Sequence, residues 1–149
     1  MKQTDFDFET YLQCLRKLVA FPTLFSRPDQ IETAMCWCQD FLTHNLKGYH
    51  IYRDRKQNLI ACPEDLDLSR DTIYLSAHMD TVDAAPLELD EPFAPLSLYD
   101  DDPQMVARGV SDCKTGVAFE IFLGKLTGTQ EIRLSNLICA IGHLHAQGI

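Results

Sequence analysis

The stretch TIYLSAHMDTVD, Thr72 to Asp83, decides how this chain folds. Its first six residues, 72–77, are nearly continuously apolar, the pattern of a buried central strand. The run stops at His78, and Asp80 follows two residues later. In open α/β sheets, ligands gather beyond the carboxyl ends of strands, so His78 stands where chemistry is expected. In an extended segment, Asp80 points the same way as His78. A neutral imidazole can ligate a metal, and a nearby carboxylate commonly fixes its ring and tautomer. A histidine at a strand end more often makes an ordinary surface hydrogen bond, so the pair needs a companion before it reads as a site.

Outward from this stretch, the periodicity changes. Residues 7–20 place Tyr11, Leu12, Leu15, Leu18 and Val19 at helical spacing. Asp7 is suited to cap that helix, and Phe21-Pro22 ends it. Residues 28–46 predict a second amphipathic helix, with Ile31, Ala34, Met35, Cys38, Phe41, Leu42 and Leu46 on its stripe. Ser26 is placed to cap it, Pro28 fits its first turn, and Gly48 follows as a stop. YHIYRD (49–54) and NLIAC (58–62), separated by a polar turn at Arg55-Lys56, predict a hairpin. Residues 79–108 are rich in Pro and Asp, with two short strands expected around the DDDP turn. A third helix is expected over 114–126, with Val117, Ala118, Ile121, Phe122 and Leu126 inward, and a fourth strand over 132–142. Helices interleaved with buried strands indicate an α/β fold: a layered mixed β-sheet flanked by helices.

The bulk properties narrow the function classes. The 149 residues are 46% apolar and 23% charged, and the formal net charge is -9. This suits one globular domain with a working core. The acidic balance repels phosphate backbones and anionic membranes, so neither nucleic acid nor a membrane is an expected partner. No apolar run has the length to span a bilayer. The six cysteines are scattered and no secretory signal opens the chain, so reduced thiols in the cytoplasm are expected. Cys36 and Cys38 have no second pair at zinc-finger spacing; Cys38 reads as a core residue and Cys36 lies off the stripe. The acidic run Asp100–Asp102 lacks the further oxygen ligands of a calcium loop and reads as a solvated turn.

The companion to His78 comes from ARGVSDCKTG, Ala107 to Gly116, which sets Asp112 in a glycine-flanked loop just before a helix. Gly109 permits unusual backbone angles, and Gly116 lets a helix pack closely. A carboxylate there can bridge two divalent cations, as in two-metal hydrolases. Taken singly, Asp112 reads as a helix N-cap, and Arg108 and Lys114 read as solvated charge.

Together these elements resemble the M20 metallopeptidase family. That group includes aminoacylases, acetylornithine and succinyl-diaminopimelate deacylases, peptidase T and glutamate carboxypeptidases. SAHMDTVDAAP is similar to the family's [ST]-x-H-x-D-T-V element, and ARGVSDCKTGVAF to its G-R-G-x-x-D-x-K-G-G element. Glu91 to Phe93 resembles the stretch between them. Two such motifs in order, about thirty residues apart, are fairly specific. Ala107 and Thr115 stand where the family has glycines; both are small.

The resemblance implies a zinc-dependent exopeptidase-like fold and hydrolysis of amide or peptide bonds in small peptides or N-acyl amino acids. It implies that His78 ligates one zinc and Asp112 bridges two, with cobalt or manganese as substitutes. Asp80 would orient and polarise His78. A cis peptide is expected between Asp112 and Cys113. A dimer is a property of full-length members. The resemblance also implies a Glu-Glu pair after the next strand, one member being the general base. Leu144 and His145 stand at those positions, and no acidic residue follows Glu131. The expectation is therefore that residues 1–149 correspond to the N-terminal half of the catalytic domain, without its C-terminal half or lid. An isolated chain of that kind is expected to be inactive. His143 and His145 have strand-like spacing, but they would not replace the base.

Overall fold

The computed structural model of the chain describes residues 7–83, 105, 107–128 and 137–142. The expected strands around the DDDP turn, Glu91–Phe93, and the tail with His143, Leu144 and His145 lie outside the described residues.

Helix α1 (Phe8–Val19) starts where Asp7 accepts a hydrogen bond from the Thr10 amide at 3.1 Å. That bond satisfies one of the helix's unpaired first-turn donors. Its stripe of Leu12, Leu15, Leu18 and Val19 is buried. Helix α2 (Pro28–Asn45) buries Ile31, Ala34, Met35, Cys38 and Leu42, while Cys36 is exposed. Its cap position is Arg27, without a side-chain cap bond. Ser26 does not cap it; its backbone N–H instead donates to Oδ1 of Asp83 at 2.8 Å. That contact ties the segment before α2 to the segment after the site. Gly48, with φ of +75°, turns the chain from α2 into the sheet.

Strands β1 (Tyr49–Arg53) and β2 (Leu59–Pro63) form the expected antiparallel hairpin, from Tyr49 opposite Pro63 to Arg53 opposite Leu59. Asp54 organises its turn. Its carboxylate accepts from the amides of Lys56 and Asn58 and from the Asn58 side chain, each at 2.8 Å. Strand β3 (Ile73–His78) leads to a wide turn at Val110–Lys114, helix α3 (Thr115–Gly128) and strand β4 (Leu137–Gly142).

The sheet order is β1-β2-β4-β3. β4 pairs antiparallel with β2 and parallel with β3, whose register runs from Ile73–Leu137 to His78–Gly142. Parallel neighbours need a crossover, and α3 provides it. The expectation that 72–77 is a buried central strand is corrected here. β3 lies at the edge of the described sheet, and Ile73 and Tyr74 are 49% and 60% exposed. An apolar run reports what a strand prefers to bury, not which neighbours it has.

The core joins the three helices to one face of the sheet: Leu18, Val19, Met35, Val117 and Ile121 pack with Leu59, Ala61, Ala77 and Ile141. Burying side chains of this size stabilises by roughly 1.5–3 kcal/mol each. On the opposite face, Ile60, Tyr74, Ser76 and Ala140 line an open cleft of about 260 Å³ with His78 and Cys113 at one end.

Candidate metal centre

His78 is the last residue of β3, and its register partner is Gly142 at the end of β4. The next amide, Met79 N–H, donates to the Gly142 carbonyl at 2.9 Å, so the two strand ends are held together beyond the paired residues. A side chain at 142 would meet Asn58 Oδ1 at 2.9 Å, which explains a glycine there.

After His78 the chain runs through a buried clamp. Thr23 donates its hydroxyl to the Met79 carbonyl at 2.8 Å. Thr81 donates its amide and its hydroxyl to the Thr23 carbonyl at 2.8 and 3.2 Å. Phe25 N–H returns to the Thr81 carbonyl at 3.1 Å. The Asp112 loop docks on the same clamp. Gly109 has φ of +75°, and a methyl group on it would sit 2.6 Å from Thr81 Cγ2. Glycine is thus required twice, by conformation and by space. Lys114 is fully buried and donates from Nζ to the Phe21 carbonyl at 2.7 Å. The reading of Lys114 as solvated charge is corrected: its long stem fills the space behind the loop. Burial pushes its ammonium down to about 8. Arg108 is half-buried rather than solvated.

The clamp brings the two candidate metal donors together. Nε2 of His78 lies 2.9 Å from Oδ1 of Asp112, although 34 residues separate them. Nδ1 of His78 lies 2.9 Å from the Asp80 carbonyl and 3.5 Å from its carboxylate. Asp80 is fully buried and Asp112 is 87% exposed. Both acidic residues therefore hold His78, one from inside and one from the rim. Asp80 reaches the ring at shortest distance through its main chain. The Asp112–Cys113 peptide is cis, as expected. Asp112 does not cap α3; the wide turn places it ahead of Thr115, whose hydroxyl bonds to the Val110 carbonyl.

The donor chemistry fits a divalent cation. With Nδ1 donating to the Asp80 carbonyl, Nε2 presents its lone pair. A lone pair and a carboxylate oxygen facing each other at 2.9 Å need a positive charge between them, a proton or a cation. Cys113 stands close by: one potential donor atom each of His78, Asp112 and Cys113 lies within 4.8 Å of the others. Nothing local in the sequence marks this thiol, because its neighbour His78 lies 35 residues away along the chain.

A general base is a different matter. Among the described residues that line the cleft, Asp54 is the one carboxylate. Hydrogen bonds, first from the Asn58 side chain, hold it below the usual carboxylate range, which makes it a weak base.

No protein-family model and no curated protein matches this sequence. The fold does match solved structures of M20-type metallopeptidases. Human carnosine dipeptidase 1 superposes with a TM-score of 0.72 at 18% identity, over 90% of this chain and 31% of that one. The dipeptidase Dug1p from Saccharomyces cerevisiae gives 0.70 at 18% identity, over 92% and 32%. The M20 family metallo-carboxypeptidase Sso-CP2 from Sulfolobus solfataricus gives 0.61 at 18% identity, over 88% and 29%. The α/β fold expected from the sequence is thus the fold of these enzymes, and the chain spans about a third of their length.

Proposed function

We propose that this chain carries part of a zinc centre for the hydrolysis of amide bonds in small peptides or N-acyl amino acids. His78 and Asp112 are the metal donors, and Asp80 orients the His78 ring. The observation that carries this reading is the 2.9 Å approach of Nε2 of His78 to the Asp112 carboxylate at a strand end. The likeness to solved dipeptidases and a metallo-carboxypeptidase supports the reaction class. Bound there, zinc supplies Lewis-acid polarisation of a carbonyl oxygen and lowers the pKa of a water toward about 7. The chain's own residues hold the donors in place and leave the open cleft beside them for substrate. A second ion shared through Asp112, a dimeric assembly, and work in the cytoplasm belong to the same proposal. None of the described helices is long and apolar enough to cross a membrane.

A second reading follows from Leu144 and His145, which stand where the resemblance implies a Glu-Glu pair: residues 1–149 alone bind metal without turning over substrate. Zinc titration by calorimetry tests the donors. Binding to the wild-type chain that is lost in His78→Ala and Asp112→Ala is expected; unchanged binding in both variants rejects the assignment. An assay with dipeptides and N-acyl amino acids, with added zinc or cobalt, separates the two readings. Metal-dependent turnover abolished by Asp112→Ala rejects the second.

A further inference from the structure

We propose that the thiol of Cys113 is a third donor to the cation at His78 and Asp112, making the site selective for thiophilic divalent ions such as zinc, cobalt and cadmium over magnesium. The proposal rests on the reading of His78 and Asp112 as metal donors.

Three observations carry it. First, the Cys113 sulfur lies within 4.8 Å of the donor atoms of both other residues. Zinc bonds of about 2.0–2.3 Å put the donors of a tetrahedral site about 3.3–3.5 Å apart, so small side-chain rotations close the set. Second, Cys113 and His78 line the same cleft, which gives a cation a route to both. Third, the next turn leaves the sulfur room. A methyl group at Gly116 would lie 3.0 Å from Cys113 Sγ and 3.0 Å from Ala77 Cβ, and so would crowd the thiol against β3. The other described cysteines are placed differently. Cys38 is sealed in the core, and none of Cys14, Cys36 and Cys62 joins a group of donor atoms among the described residues. A thiolate beside an imidazole and a carboxylate shifts preference from hard oxygen-seeking cations to borderline and soft ones. The thiol proton leaves to solvent when the metal binds.

Cobalt titration of the full chain, followed by absorbance, tests this. The expected result is visible ligand-field bands together with a near-ultraviolet sulfur-to-cobalt charge-transfer band. In Cys113→Ser the charge-transfer band disappears, and cadmium affinity falls by roughly 10–100-fold or more. Ligand-field bands without a charge-transfer band, unchanged in Cys113→Ser, overturn the thiol assignment and leave the His78–Asp112 reading standing. No cobalt binding by the wild-type chain overturns both. Should Cys113→Ser fail to fold, alkylation of the wild-type chain decides. Zinc protects Cys113 from iodoacetamide, read by peptide mass spectrometry, if it is a donor; equal alkylation with and without zinc rejects the role.

Discussion

Behind His78, the side chains of Thr23, Thr81 and Lys114 are buried and bonded to main chain far away in sequence. In front, Asp112 stands 87% exposed and meets His78 at 2.9 Å on the solvent side. The two halves of the site answer to different physics. Buried polar groups at the back are costly to leave unpaired, so each partner lost is felt as stability. Exposed groups at the front add little to folding, and their worth is realised when a ligand arrives. The back therefore fixes the distance between the donors, and the front uses it.

The largest effect expected is one of pH, and it lies on buried helix α3 rather than at the exposed front. Glu120 is buried on α3, and desolvation pushes its carboxyl up to about 8 from its ordinary 4.5. The folded chain then holds a proton that the unfolded chain has released. The contribution of Glu120 to stability is full below about pH 4.5 and is lost as the pH rises through about 8, a span on the order of 5 kcal/mol. Urea unfolding midpoints should fall across that window, and Glu120→Gln should flatten the slope. An equal slope in the variant would show that Glu120 is not the group that titrates, and would leave the buried layer as insensitive to pH as the front.

Next in size is Gly109→Ala. It combines a left-handed backbone with a 2.6 Å clash against Thr81, and a loss of about 3 kcal/mol is expected. Thr23→Val keeps the shape but removes the hydroxyl that serves the Met79 carbonyl, for an expected loss of about 1–2 kcal/mol. Both are read from denaturant unfolding. The smallest change in stability belongs to the front: Asp112→Asn should alter unfolding by no more than about 0.5 kcal/mol while weakening zinc binding in calorimetry. An Asp112→Asn chain destabilised more than Thr23→Val would show that the two halves are not separable.

Much of this was legible in the sequence. The stripes of α1 and α2 gave their buried faces because helical periodicity is local, and the hairpin declared itself by alternation around a polar turn. His78 and Asp112 could be paired through the two motifs that hold them. What could not be read depended on contacts across the chain. Lys114 looks like any surface lysine until the Phe21 carbonyl, 93 residues away, appears beside it. The edge position of β3 in the described sheet is set by where β4 pairs, not by Ile73 or Tyr74. Cys113 gains its proposed role only when the sheet brings His78 to it. Ser26 had a sound local reading as a cap, overridden by its long-range bond to Asp83.

The sheet order also has a bearing on how the chain comes into being. β4, the last described strand in sequence, lies between β2 and β3, pairing Leu59 with Ile141 and Ile73 with Leu137. A ribosome delivers β2 and β3 long before the strand that joins them, so β2 waits with one side unpaired and β3 waits without a partner among the described strands. Pairings this distant in sequence close slowly, because loop entropy is lost before contacts compensate. The growing chain is thus most exposed to wrong partners just before residues 137–142 emerge, and that interval is where a chaperone would do it most good.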